Sequence, residues 1–281
     1  MERKVTLSLL TCGAVKVLFS AVVSSTFTLF PLEGEALGFL PEERALILSV
    51  FPLAYMIALF PAGKLCDDAE LARGILAIAV LGLGLSSIMF GFSTRISAFT
   101  AARSAQGLFS AGADVAAGAM VAATAGENLA WAEGVLESCE ALGWILGPPV
   151  GAFLYASLGF ATAFGSWAAL CVGLLMPLIL QSCSSRKVPV GAYMALEECE
   201  EQCDAKKKDG DLVTLLLRGT SVFAYGASSG AMYSGITLQF HSLGVGMTAV
   251  LQLLVAVSYL VAAPMVGQAC DGCGELGLWR R

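Results

Sequence analysis

The stretch "GVLESCEALGWILGPPVGAF", Gly134 to Phe153, joins a long apolar run to two carboxylates, two adjacent prolines and a set of spaced glycines. At about 100° per residue on a helix, Gly143, Gly147 and Gly151 fall on one side. Glu137 and Glu140 fall on that same side, within an arc of about 120° by this geometry. Small residues on one helix face let a neighbouring helix approach closely. Pro148 and Pro149 each remove a backbone donor, so a kink is expected there. The segment is read as a membrane helix that packs tightly through its glycines and carries charge inward.

The rest of the chain supports a membrane setting. Its 281 residues are 57% hydrophobic and 14% charged, with a mean hydropathy of +0.78. Soluble domains carry about 25% charged residues. Apolar stretches near the length needed to cross a bilayer core, about 20 residues, recur throughout. Eight spans are predicted: about 5–30, 46–62, 74–92, 98–123, 133–154, 162–180, 214–240 and 248–268. The expected fold is all-α, a polytopic transmembrane helical bundle. Its predicted parts are a six-helix bundle over 1–181, a charged cytosolic linker over 182–212, and two spans of a second bundle over 213–281.

Lys and Arg set the expected orientation, because cytosolic loops carry the positive excess. With the N-terminus cytosolic, the inner loops hold Arg3, Lys4, Lys64, Arg73, the basic residues between Arg186 and Lys208, Arg218, Arg280 and Arg281. The outer loops hold Arg44 and Arg95.

Two loops resemble each other. "PAGKLCDD" (61–68) and "PMVGQACDG" (264–272) each close an even-numbered span, and each contains Gly-x-x-x-Asp: Gly63 with Asp67, and Gly267 with Asp271. A repeated half joined by a linker is a transporter arrangement.

Three motifs together resemble the major facilitator superfamily. The 61–68 loop resembles its motif A through Gly63, Leu65 and Asp67. "RSAQG" resembles motif B through Arg103, Gln106 and Gly107. Gly134, Gly143, Gly147, Pro148 and Gly151 resemble motif C, the antiporter signature, with Ala152 replacing its last Gly. Within the superfamily, "LFPLEGEALG", "VLES", "LGPPVGAFLYASLGF" and "LVAAPMVG" are similar to the vesicular amine transporters, and above all to their polyamine branch. That resemblance implies twelve spans, of which this chain would hold about eight, as a fragment or a short isoform. It also implies alternating access and an acidic substrate contact at Glu137. The aspartate that monoamine transporters carry in span 1 is missing, which favours a polyamine-like substrate.

Charges inside the spans are the candidate coupling residues. An ionisable group at the bilayer centre costs at least ~2.5–3.5 kcal/mol on insertion scales and marks function by default. Lys16, Arg103, Asp114, Glu137 and Glu140 are in this class. Asp114 lies three helical turns from Arg103 on the same side of span 4, and Lys16 is a candidate ion partner of Asp114. Counting all five groups leaves one net negative charge, which a cation or a proton would neutralise in competition. Gly63, Asp67, Gly134, Gly143, Gly147, Pro148, Gly151, Gly267 and Asp271 are the expected gating and packing positions.

Other chemistries fit poorly. Gly226 to Gly230 matches a hydrolase elbow pattern, but it sits in an apolar helical run away from the single histidine, His241. No ATP-binding loop occurs, and no basic stripe suggests nucleic acid. Cys270 and Cys273 form an isolated pair, where structural zinc needs four ligands. No cofactor is expected. The sequence predicts proton-coupled antiport of an organic cation, polyamine or amine-like, in the bilayer of a vesicle or other endomembrane. A drug–proton antiporter and a non-transporting truncated regulator are the alternatives.

Overall fold

The computed structural model describes residues 2–184. Six helices follow one another: α1 (Glu2–Ala36), α2 (Pro41–Cys66), α3 (Ala69–Gly91), α4 (Ile96–Ala125), α5 (Leu129–Leu158) and α6 (Phe160–Ser184). A single 3₁₀ turn, Gly126–Asn128, precedes α5. There is no strand among the described residues. The expected spans 7 and 8, and the linker from residue 185 on, lie outside them. So do Gly267, Asp271 and His241.

Helices α1 to α5 are each long and apolar enough to cross a membrane, and α6 contributes an apolar stretch over Phe160–Met176. The all-α bundle expected from the sequence is the architecture observed. The helices outrun the expected spans, and the loops shrink accordingly. What reads as a polar loop over 31–45 is mostly helix. Helix α1 continues past Pro31 to Ala36 and closes in a Schellman turn. There the Phe39 N–H donates to the Gly34 carbonyl at 2.8 Å, and the Gly38 N–H to the Glu35 carbonyl at 3.0 Å. Gly38 sits at φ +80°, the left-handed geometry that glycine adopts without strain. Helix α2 then starts at Pro41, and the Glu43 carboxylate accepts from the Leu40 N–H at 2.8 Å. The polarity of this segment reflects helix ends and their caps, not irregular chain.

Helix α4 is the centre of the bundle. It packs on α1, α2 and α3, and more lightly on α5, while α1 packs chiefly on α5. Its buried face is made of small residues, including Ala102, Gly107, Ala111, Gly112, Ala113, Ala116 and Ala117. Helix α6 closes against α3, where Gly91 faces Phe164 and the Ala161 carbonyl. At the end of the bundle farthest from the start of α1, Phe30, Phe90, Phe99, Phe160 and Phe164 interlock, with neighbouring ring centroids 4.9 to 6.3 Å apart. Tilted and edge-on aromatic pairs are each worth about 0.5–1.5 kcal/mol beyond area burial. Helix α2 turns Leu53, Met56, Ile57 and Phe60 outward, the apolar surface expected of a helix that meets lipid.

Candidate functional site

The opening stretch forms the middle of α5, which runs helical through Pro148 and Pro149. Those prolines donate nothing to the carbonyls of residues 144 and 145. The glycine face of α5 lies against α1, so the predicted close approach has α1 as its partner. A β-carbon on Gly143 would run into the Val17 carbonyl oxygen and Ser20. One on Gly147 would meet Ser24 and the Ala21 backbone, and one on Gly151 would meet Ser25 and Leu29. Gly134 is also buried. The two helices run parallel and in step, each advance of four on α5 matching about four on α1. Hydroxyls stitch the seam: Ser25 Oγ donates to the Gly147 carbonyl at 2.7 Å, and Ser24 Oγ to the Gly143 carbonyl at 3.4 Å. Farther along the seam, Tyr155 Oη donates to Glu33 at 3.1 Å.

Below the glycines the same face delivers its carboxylates to Lys16. The Lys16 ammonium is 2.6 Å from Asp114 Oδ1, 2.9 Å from Glu140 Oε2 and 3.8 Å from Glu137 Oε1. Three helices therefore meet at one cation. Glu137 and Glu140 converge because residues three apart share a helix face. Tyr55 of α2 completes the group, its hydroxyl donating to Asp114 Oδ2. Lys16 is nearly enclosed, with a side-chain exposure of 10%, whereas Asp114, Glu140 and Glu137 keep 27%, 33% and 38%. Of the four charged groups the lysine is the most enclosed, and the carboxylates are the more exposed.

Arg103 does not join this group. It shares an azimuth with Asp114, but eleven residues of helix separate them by about 16 Å along the axis. In that other layer the Arg103 guanidinium is fully buried. It packs over the rings of Phe51 (4.4 Å) and Phe27 (4.9 Å) and donates to Gln106 Oε1 at 2.8 Å. The charge count changes as a result. Among the described residues, one ammonium faces three carboxylates, a formal −2 when all are ionised, rather than the −1 reached by including Arg103.

The predicted site residues thus divide into groups. Lys16, Asp114, Glu137 and Glu140 come together; Arg103 stands apart; Gly143, Gly147 and Gly151 hold the α1–α5 seam, with Pro148 half-buried beside it. Gly63 is half-buried near the end of α2, with nothing within 4 Å of a β-carbon built there, and Asp67 is exposed at the C-cap of that helix. Sequence reasoning missed Tyr55. Its signal was a tyrosine in mid-span, whose hydroxyl needs a partner when buried. It also missed the small residues of α1, Ser20–Ala21 and Ser24–Ser25, whose spacing of four mirrors that of the glycines.

The sequence pattern of the Major Facilitator Superfamily matches residues 12–271. The chain belongs to the Major Facilitator Superfamily. With its membrane-length apolar helices, it is a multi-pass integral membrane protein of a family of transporters rather than enzymes. It is similar to the human MFS-type transporter SLC18B1, at 27% identity over 263 residues, which cover 89% of this chain and 54% of the human protein. The mouse MFS-type transporter SLC18B1 aligns at 27% identity over 158 residues, 54% of this chain and 32% of the mouse protein. An uncharacterized MFS-type transporter of Methanocaldococcus jannaschii aligns at 28% over 180 residues, 62% of this chain and 43% of the archaeal protein. The chain spans about half or less of the length of these curated relatives.

Proposed function

We propose that this superfamily member acts in secondary active transport, exchanging protons for an organic cation of the polyamine or amine type by alternating access. The observation that carries this reading is the convergence of Asp114, Glu137 and Glu140 on Lys16 in the middle of apolar helices. Charges at that depth are costly and are kept where they bind ions or protons. A site with more carboxylates than cations holds either protons or a cationic solute, and exclusion between the two is what couples their opposite movements. Glu137 and Glu140 contact the solute and the proton, Asp114 and Lys16 complete the site, and Arg103 acts from a separate layer of the bundle. Gly143, Gly147, Pro148 and Gly151 let α1 and α5 move as one unit, while Gly63 and Asp67, with Gly267 and Asp271 in the second repeat, act at the cytosolic gate.

The proposed organisation is a bundle over 1–181, a linker over 182–212 and a partial second bundle over 213–281. The N-terminus is cytosolic, and the membrane is that of a vesicle or other endomembrane. The similarity to the vesicular polyamine branch favours a polyamine over a monoamine, since span 1 offers Lys16 and no aspartate.

The test is uptake of labelled spermidine by proteoliposomes that hold the 281-residue chain and have an acidic interior. Uptake that collapses with the pH gradient is expected. Folded protein that takes up nothing, beside an active longer relative, would remove the transport reading for this chain.

A further inference from the structure

The group around Lys16 has the geometry of a site that is already occupied. A primary ammonium presents N–H donors in several directions; Asp114 and Glu140 stand 2.6 and 2.9 Å from the Lys16 nitrogen, and Glu137 is an ion-pair neighbour at 3.8 Å. Those acids come from two helices, α4 and α5, while the cation arrives on a third, α1. Among the described residues the acids outnumber the cation, Arg103 being held in another layer by Phe27 and Phe51. The carboxylates remain partly exposed while the ammonium is more enclosed. Beside this site α1 and α5 pack closely. The glycine seam joins α1 to α5 without a gap, and Ser25 bonds across it to Gly147. A lysine, by contrast, carries its charge on a flexible four-carbon stem. That stem can carry the Lys16 ammonium away from the acids without a shift of the helices that hold them.

We propose that Lys16 is a tethered stand-in for the ligand's own ammonium, filling a cradle, shaped for an ammonium that carries N–H donors, that an incoming amine takes over. The inference rests on the cation-exchange reading above and deepens it in two ways. The recognised group is an ammonium that carries N–H donors, as Lys16 does, because a quaternary ammonium has no N–H to offer Asp114 and Glu140. The site is also never left as bare, mutually repelling carboxylates, because Lys16 returns when the ligand leaves.

The experiment is chemical rescue of the full chain in detergent. Lys16→Ala removes the tethered cation, and thermal unfolding is followed while methylammonium is added. The controls are tetramethylammonium and sodium chloride at equal ionic strength. A ligand that binds only the folded state raises Tm in a saturable way. A rise of several degrees is expected with methylammonium alone, with a clearly smaller rise in the wild-type chain, where Lys16 competes. The rise is expected to vanish in Lys16→Ala combined with Asp114→Asn. Equal responses to methylammonium, tetramethylammonium and sodium would overturn the proposal. Should Lys16→Ala fail to fold, Lys16→Gln takes the same titration. Folding of either variant only when methylammonium is supplied supports the cradle, and folding of neither under any amine overturns it. Rescue without uptake leaves the cradle standing and removes transport; uptake without rescue does the reverse.

Discussion

The Ser25 hydroxyl lies 2.7 Å from the carbonyl oxygen of Gly147, a residue whose missing side chain is what allows that bond. The space a β-carbon would need at Gly147 is taken by Ser24 and by the Ala21 backbone. Backbone cannot be moved aside as a flexible side chain can. Gly147→Ala is therefore expected to cost about 1–3 kcal/mol, the usual penalty of overpacking. Thermal unfolding in detergent measures it. Adding Ser24→Ala is expected to recover only part of the loss, because the Ala21 carbonyl remains. An unchanged Tm in the single variant would show that α1 and α5 are not held at this distance.

Gly63 makes the opposite case. A β-carbon there meets nothing within 4 Å, and alanine is the better helix former by up to about 1 kcal/mol. Gly63→Ala is expected to leave Tm unchanged or to raise it slightly. If Gly63 serves a gate, uptake falls all the same, and the two readouts separate. Parallel loss of stability and uptake would return Gly63 to simple packing.

Asp67 sits exposed one residue beyond α2, so Asp67→Asn is expected to leave the fold intact. The proposed gating role predicts a lower maximal rate of spermidine uptake with little change in the concentration for half-maximal uptake. A pure loss of affinity would contradict it.

The first six helices, in order and near their expected centres, and the inward face of α5 could be read from the sequence, because bilayer thickness and helical periodicity are strict rules. The partner of that face could not. Periodicity says which residues share a side of one helix, and it is silent about which of the other helices that side meets. Arg103 shows the same limit. Its three-turn offset from Asp114 was legible, but its partners on other helices, Phe27 and Phe51, were not. The segment 31–45 reads as loop on polarity alone, because capping carboxylates and the Schellman glycine belong to helix ends that composition does not distinguish from coil.

Tyr55 donates to Asp114 from α2 and stacks on Phe51, with ring centroids 6.2 Å apart. Tyr55→Phe keeps the ring and deletes only the hydroxyl. Hydrogen bonds to charged groups are worth about 1.5–3 kcal/mol. A value near the lower end is expected, since Asp114 keeps Lys16 and some solvent. Chemical or thermal unfolding of the full chain measures it. A loss no larger than that from an exposed substitution would mean that the hydroxyl does not hold Asp114.

Arg103 predicts an inversion of the usual conservative ranking. Lysine at this site keeps a buried charge but loses the planar stacking on Phe27 and Phe51 and the geometry of the bond to Gln106. Arg103→Lys is expected to cost about 2 kcal/mol from those losses. Arg103→Met removes the charge along with the need to solvate it, and replacing buried ions with apolar side chains is often neutral. Methionine is therefore expected to be the better tolerated of the two in thermal unfolding. The reverse order would show that the charge itself, rather than the packing of the guanidinium, holds α1, α2 and α4 together.

Glu137 and Glu140 separate stability from function. Glu140 bonds Lys16 at 2.9 Å, whereas Glu137 stands 3.8 Å away and is the more exposed of the two. Loosely paired, partly exposed charges contribute about 0–1 kcal/mol. Glu137→Gln is therefore expected to leave Tm nearly unchanged, and Glu140→Gln to lower it further. The order reverses for coupled uptake if Glu137 is the carboxylate that a cation meets first. Proton-driven spermidine uptake is then expected to fall sharply in Glu137→Gln in spite of its native stability. Uptake driven by a pH gradient that is unchanged in Glu137→Gln removes that residue from the mechanism. The coupling carboxylate would then be Glu140 or Asp114, the two that hold Lys16 most closely.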